Sequence, residues 1–280
     1  MSTTTHPTPT ATPADAALLP AVVAAAEAAG ARLLERFGAD TPPVTRAEIG
    51  TAITANDEAA LEVLLPLLTA AHPGARWAED EEAGGALPPG EWWVIDPVEG
   101  NINHLHGSPE WAVTVTLVRD DQAVLTVVHQ PLVAGVPGGV TWTALAGDGA
   151  RRNGEPVHVS AKRELAGALV GTGQAKPGEE AGTYRRIGAS MTAMLSAALV
   201  VRAWVPATLP LTQVAAGQLD AFWQYSDVRA GLLGGALLVT EAGGTVTDTA
   251  GRPWTSASPD FLASAPQVHA AVVAALSPVA

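Results

Sequence analysis

The chain has 280 residues, 48% of them apolar, with no cysteine and 28 acidic against 15 basic side chains, a net charge of −13. That length supports one large domain or two closely packed halves around a substantial core. The acidity disfavours nucleic acid as a partner, and the lack of cysteine excludes disulfides and thiolate metal sites, leaving oxygen-held hard cations as the natural metal class.

The apolar residues come in short runs, none reaching the roughly 18 to 20 uninterrupted residues that span a bilayer. Met1–His6 lacks a basic, then apolar, secretion signal, so a soluble cytoplasmic protein with no membrane partner is expected. Residues 1–13, rich in Thr and Pro, read as a disordered tail. Asp15 to Phe37 reads as a long helix, with Pro20 and Gly30 as candidate bends. A polar loop over Gly38–Gly50 leads to a second helix from Thr51 to about Ala71, where Thr54 and Asp57 have the spacing of a capping box. A short strand over 74–78 then delivers four consecutive acids, Glu79 to Glu82, which on their own read as solvated surface.

After a loop over 84–90, Trp92-Trp93-Val94-Ile95 has the character of a buried strand and runs into Asp96-Pro97-Val98-Glu99-Gly100-Asn101-Ile102-Asn103. Two carboxylates three residues apart, with Pro97 fixing the backbone between them, suit a metal held from a rigid turn. Gly100 permits close backbone approach, and the N–H groups after it would hold an anion if a helix starts there. His104 and His106 follow, two apart and near carboxylates, a spacing open to zinc, to a general acid or to plain pocket lining.

Trp111–Arg119 and Ala123–His129 read as strands joined at Asp120-Asp121-Gln122. Val140–Ala144 and Gly147–Val159, the latter turning at Arg152–Glu155, continue an antiparallel meander that completes a first half, residues 14–160. The second half, 161–280, holds strands at Leu169–Thr172, Leu199–Trp204 and Leu219–Gln224, with helices at Arg185–Ala198 and Leu209–Gly217. Asp227 opens a helix to Ala242, in the position of an ordinary N-cap. A closing strand after Trp254 and a helix from Pro266 end the chain.

Three ordered elements together, Ala78-Glu79-Asp80, Asp96-Pro97-Val98-Glu99-Gly100-Asn101-Ile102-Asn103 and Ser226-Asp227-Val228-Arg229-Ala230-Gly231, resemble the motifs of the inositol monophosphatase family of magnesium-dependent, lithium-sensitive phosphatases. The resemblance covers roughly residues 15–275. It implies an α+β fold, a layered αβαβα sandwich of the inositol monophosphatase and sugar phosphatase type, a homodimer, and two or three Mg²⁺ ions, with Mn²⁺ as an alternative.

The resemblance also implies roles. Glu79, Asp96 and Glu99 fall on first-site metal ligands with Val98 beside them, Asp227 falls on a second-site ligand, and Glu79, Asp57 and Asn101 fall on groups that activate or position water. The backbone of Gly100, Asn101 and Ile102 falls on the phosphate cradle. Ala207 and Gln224 fall where the family contacts the sugar ring, and Arg46 is the nearest match to a loop cation. Two positions depart from the family: Glu99 stands for an aspartate, one methylene longer, and Asn101 for a threonine whose hydroxyl relays a proton. The expected activity is Mg²⁺-dependent hydrolysis of a small phosphomonoester, such as a sugar, inositol or nucleotide phosphate. The alternative is a phosphatase-like protein that has lost hydrolysis and binds a phosphorylated metabolite, or catalyses a different reaction in the same pocket. A purely structural or partner-binding protein would leave the separated acids unexplained.

Overall fold

The computed structural model describes residues 10–38, 42–78, 85–176, 178–226 and 228–279. Helix α1 (Pro13–Leu34) begins in a reciprocal cap: the Asp15 N–H donates to the Thr12 hydroxyl, and the Thr12 N–H donates to the Asp15 carboxylate. Pro20 lies inside this helix without ending it. Gly30 serves as a close-approach point, since a Cβ there would lie 2.6 Å from Cδ2 of His129. By length and mean hydropathy (1.6) α1 passes as a membrane span. It nevertheless buries Val22, Ala26, Ala29 and Leu33 in the core.

Helix α2 (Arg46–Ala71) starts five residues before the expected Thr51. The capping box that opens it is Thr45 with Glu48, not Thr54 with Asp57. Thr54 and Asp57 therefore sit inside the helix, where the Thr54 hydroxyl donates to the Gly50 carbonyl at 3.2 Å.

A seven-stranded sheet follows the chain in order: β1 (Arg76–Trp77), β2 (Glu91–Glu99), β3 (Ala112–Arg119), β4 (Gln122–Gln130), β5 (Val140–Leu145), β6 (Gly149–Arg152) and β7 (Glu155–Pro156). β1 is parallel to β2, and the rest form the expected antiparallel meander. Asp120 and Asp121 both take positive φ, as a tight two-residue hairpin requires. The second sheet contains β8 (Leu169–Gly173), β9 (Val200–Trp204), β10 (Ala221–Gln224), β11 (Thr245–Thr247) and β12 (Phe261–Ser264), in spatial order β11-β12-β10-β8-β9. The remaining helices are α3 (Asn101–Leu105), α4 (Ala181–Ala197), α5 (Thr208–Ala215), α6 (Arg229–Glu241) and α7 (Pro266–Leu276).

These elements form five layers. α1 and α2 pack Val22, Leu33 and Leu64 against Trp93, Val113 and Leu125 of the larger sheet. α5 and α6 lie between the sheets, where Leu211, Leu232 and Leu238 meet Val128 and Trp142 from one and Phe222 and Phe261 from the other. α4 and α7 cover the far face with Met194, Val268 and Val272 over Val170, Trp223 and Leu262. Covering the larger sheet on both faces is why β3 is buried along nearly its whole length instead of alternating. α6 reaches this buried position through small residues: a Cβ on Gly234 would lie 2.5 Å from Oγ1 of Thr126.

Candidate active site

The central acids lie within β2, not in a turn beyond it. In a regular strand, residues three apart face opposite sides. Here Asp96 pairs with Thr114 and Glu99 with Ala112, so β2 spends three residues where β3 spends two. This one-residue bulge at Pro97-Val98 reverses the alternation. Before it, Trp93 and Ile95 face α1 and α2 while Val94 faces α6; after it, Val98 faces α1 and α2. Glu99 therefore joins Asp96 on the α6 side. Proline suits the bulge because it has no N–H to leave unpaired.

Glu99 is 4% exposed, and its Oε2 has no hydrogen-bond partner among the described residues. It lies against the start of α6, where a Cβ on Gly231 would come 3.4 Å from Oε1 of Glu99. Burial raises the Glu99 carboxyl above the ordinary glutamate range, with partial relief from the Asp96 carboxyl and from Thr208 at the start of α5. The Thr208 hydroxyl hydrogen goes to the Gly231 carbonyl at 2.8 Å, which leaves the glutamate short of donors. Two touching carboxyls and an orphaned buried oxygen are what a hard divalent cation would satisfy, so these residues fit such an ion.

Gly100 ends the strand in the left-handed region, at φ 84° and ψ 34°. A Cβ there would lie 2.8 Å from the Glu110 carbonyl and 2.9 Å from Cδ of Pro206, so the position needs glycine for both backbone and space. The Gly100 carbonyl then accepts from the N–H groups of Asn103 and His104, which starts α3. The Asn103 amide donates to the Val205 and Glu110 carbonyls and ties this turn to the segment before α5.

Asn101, the first residue of α3, points at α2. Its Nδ2 donates to Oδ1 of Asp57 at 2.8 Å and to the Ile53 carbonyl at 3.1 Å. Burial pushes the Asp57 carboxyl up to about 6, with the Asn101 amide pulling it back and Glu58 adding repulsion. The packing of α3 on α2 thus brings Asp57 and Asn101 together as a pair, 44 residues apart in the chain.

The sequence pattern of the inositol monophosphatase family matches residues 15–279. The chain belongs to the inositol monophosphatase family. It is 31% identical over 241 residues to an inositol-1-monophosphatase of Rhizobium meliloti, covering 85% of this chain and 88% of that one. A protein named Nus factor SuhB from Pseudomonas aeruginosa is 32% identical over 224 residues, with 79% and 80% covered. Among solved structures, the inositol monophosphatase from Anabaena superposes with a TM-score of 0.76 at 27% identity, covering 95% of this chain and 97% of that one. The five-layer sandwich is the family's fold.

The other described residues that the resemblance singles out are dispersed around this turn or lie away from it. Ala207 is buried at the entry to α5, just after the cis Val205–Pro206 peptide. Gln224 ends β10, buried, and its Nε2 donates to the Ser226 carbonyl at 3.0 Å. Ile102 borders a surface depression with Asn103, Gln174, Arg202 and Trp204. Arg46 is exposed at the first position of α2. Glu79 and Asp227 lie outside the described residues, and among the described residues no cluster of three or more His, Asp or Glu is assembled.

His104 is not open to zinc. Its Nε2 faces the Leu33 carbonyl at 3.1 Å and its Nδ1 faces Nδ2 of Asn56 at 3.1 Å, so both ring nitrogens are taken within the protein. Asn56 itself is a residue that motif reading passes over. It is 2% exposed and touches Arg36, Asn101 and His104. The only sequence signal was an amide directly before Asp57, at a buried helical position.

Proposed function

We propose that the protein hydrolyses a small phosphomonoester with Mg²⁺, as a cytoplasmic homodimer in which the half over 14–160 carries the acids of the first metal site and the half over 161–280 closes the site. The observation that carries this reading is the Asp96–Glu99 pair, turned to one side by the bulge, with a buried Glu99 oxygen that has no hydrogen-bond partner among the described residues. Membership of a phosphatase family supports the reaction class. Asp96 and Glu99, with the Val98 backbone beside them, would hold the first ion together with Glu79, and Asp227 would hold a second. Bound Mg²⁺ would neutralise phosphate charge and acidify a water.

The chain's own residues do the rest. Gly100 leaves the first N–H groups of α3, those of Asn101 and Ile102, ahead of the first intrahelical bond, where a phosphate oxygen can accept them. Asp57 accepts a proton from the attacking water, and its elevated carboxyl suits a base working near neutrality. Asn101 holds Asp57 in place by donating to Oδ1. Ala207 and Gln224 stand where the family contacts sugar. Gln224 brings an amide in place of a carboxylate, which weakens the acceptor for hydroxyls and turns the expectation away from inositol phosphate itself.

A second reading, a diverged pocket that binds a phosphorylated metabolite without hydrolysing it, draws on the amide at 101 and on the relative named as a Nus factor. Phosphate release from sugar, inositol and nucleotide phosphates, with and without Mg²⁺, separates the two. Turnover that needs Mg²⁺ and is lost in Asp96→Ala supports hydrolysis. An inert wild type that gains turnover on combining Glu99→Asp with Asn101→Thr supports the diverged pocket.

A further inference from the structure

We infer that Asn56 is a positioning residue that fixes which way the Asn101 side-chain amide faces, so that its NH₂ group is held on Asp57. This rests on the reading of Asp57 and Asn101 as the water-positioning pair. An asparagine side chain is nearly symmetric in shape, so packing alone would accept it at position 101 either way round, and the choice falls to its hydrogen-bond partners. Only one orientation serves Asp57. With the NH₂ group toward Asp57 the carboxylate gains a donor; with the carbonyl toward it, two acceptors face each other.

The polarity is determined from both ends of a hydrogen-bonded chain. At one end, Nε of Arg36 is an obligate donor, and it lies 2.7 Å from Asn56. The near atom of Asn56 must therefore be Oδ1, which turns Nδ2 the other way, toward Oδ1 of Asn101 at 2.9 Å and Nδ1 of His104 at 3.1 Å. His104 agrees with this assignment. Its Nε2 faces a backbone carbonyl, which can only accept, so Nε2 carries the hydrogen and Nδ1 is a bare acceptor. At the far end, Asp57 and the Ile53 carbonyl are acceptors, and both receive Nδ2 of Asn101. Each NH₂ group in the chain thus meets two acceptors, and each side-chain carbonyl meets a donor. Both asparagines and His104 are under a tenth exposed, which removes water as a substitute partner. A hydroxyl at position 101 can rotate to donate or accept as its neighbours require, so this device matters only because position 101 carries an amide.

The test compares Asn56→Ala with Asn56→Asp, each alone and combined with Asn101→Thr, in Mg²⁺-dependent phosphate release. Aspartate matches asparagine in shape but offers only acceptors, so it draws the Asn101 NH₂ group away from Asp57. The expected order of kcat is wild type, then Asn56→Ala, then Asn56→Asp, with the last down roughly tenfold or more and KM changed little. With Asn101→Thr present, the same substitutions should change kcat by less than about twofold. A packing role predicts the reverse order, with the cavity-forming alanine worse than the isosteric aspartate, and that result overturns the inference. So does an equal loss with and without Asn101→Thr.

A second readout does not depend on turnover. In wild type, nuclear Overhauser contacts should run from the Asn101 side-chain NH₂ protons to Asp57 and Ile53, and in Asn56→Asp they should move to residue 56. Unmoved contacts overturn the inference even if the protein hydrolyses nothing. Moved contacts in a protein without phosphatase activity keep the positioning claim and remove only the functional reading beneath it.

Discussion

Asp96 and Glu99 stand three positions apart on one strand yet face the same side of the sheet, because β2 spends one residue more than β3 between the pairs Asp96–Thr114 and Glu99–Ala112. The arrangement concentrates two carboxyls where the protein supplies few donors, and several consequences can be measured.

Mg²⁺ should raise the melting temperature by several degrees, and more at pH 8 than at pH 5. Burial lifts the Glu99 carboxyl above its unfolded value. Its contribution to stability is therefore present in acid, below the unfolded pKa of 4.5, and is lost as pH rises through the folded value. A cation relieves that loss only where the group ionises. Thermal unfolding with and without Mg²⁺, for wild type and Glu99→Gln, checks this; Glu99→Gln should melt higher without metal at pH 8 and respond less to Mg²⁺.

Asp57→Asn should abolish turnover and yet stabilise the metal-free protein near pH 7.5. The folded carboxyl lies at about 6 against 3.8, so its favourable contribution fades as pH rises from the lower value through the upper one. Allowing for partial solvent screening, the gain at pH 7.5 should be about 1 kcal/mol and should vanish toward pH 4. Urea unfolding at the two pH values measures it, and a loss of stability at pH 7.5 would contradict it.

Gly100→Ala should cost about 3 kcal/mol. It combines a left-handed backbone with a methyl group 2.8 Å from the Glu110 carbonyl, against which there is no flexible side chain to yield. Denaturant midpoints report the cost, and turnover per folded molecule should fall with it because the turn shifts.

Arg119→Met should destabilise by about 2 kcal/mol at neutral pH. Arg119 donates to the buried Asp15 at 2.7 Å and to Glu91 at 2.8 Å, so its removal takes the cationic partner from a buried carboxylate at the start of α1 and leaves it only the Thr12 donors. The Asp15 carboxyl is held below its ordinary value of 3.8: burial pushes it up, but the Arg119 and Thr12 hydrogen bonds outweigh that. This contribution is present above pH 3.8 and is lost as pH falls through the lower folded value, so the difference between wild type and Arg119→Met should shrink in strong acid.

Much of the fold is readable along the chain. The hairpin at Asp120-Asp121, the meander through β7 and the apolar helix after position 227 are local matters of turn chemistry and periodicity. The start of α2 was readable too, since Thr45 and Glu48 form a capping box as legible as the one assigned at Thr54 and Asp57. Pro42 and Pro43 give the preceding segment the character of a loop, and the spacing of Thr54 and Asp57 repeats the same signal further along the chain.

The sequence by itself determined which residues are candidates for chemistry: paired acids around Pro97, Asp57, an asparagine at position 101 and a glycine at position 100, in the order that marks the family. Only the tertiary structure decided how they face. The side on which Glu99 lies depends on how many residues the neighbouring strand spends beside it, and strand pairing is not written in the strand alone. The direction of the Asn101 amide depends on Arg36, Asn56 and His104, three side chains that meet only when α1, α2 and α3 pack together. Local sequence specifies which groups are present, whereas orientation is a property of partners, and these partners are distant in the chain.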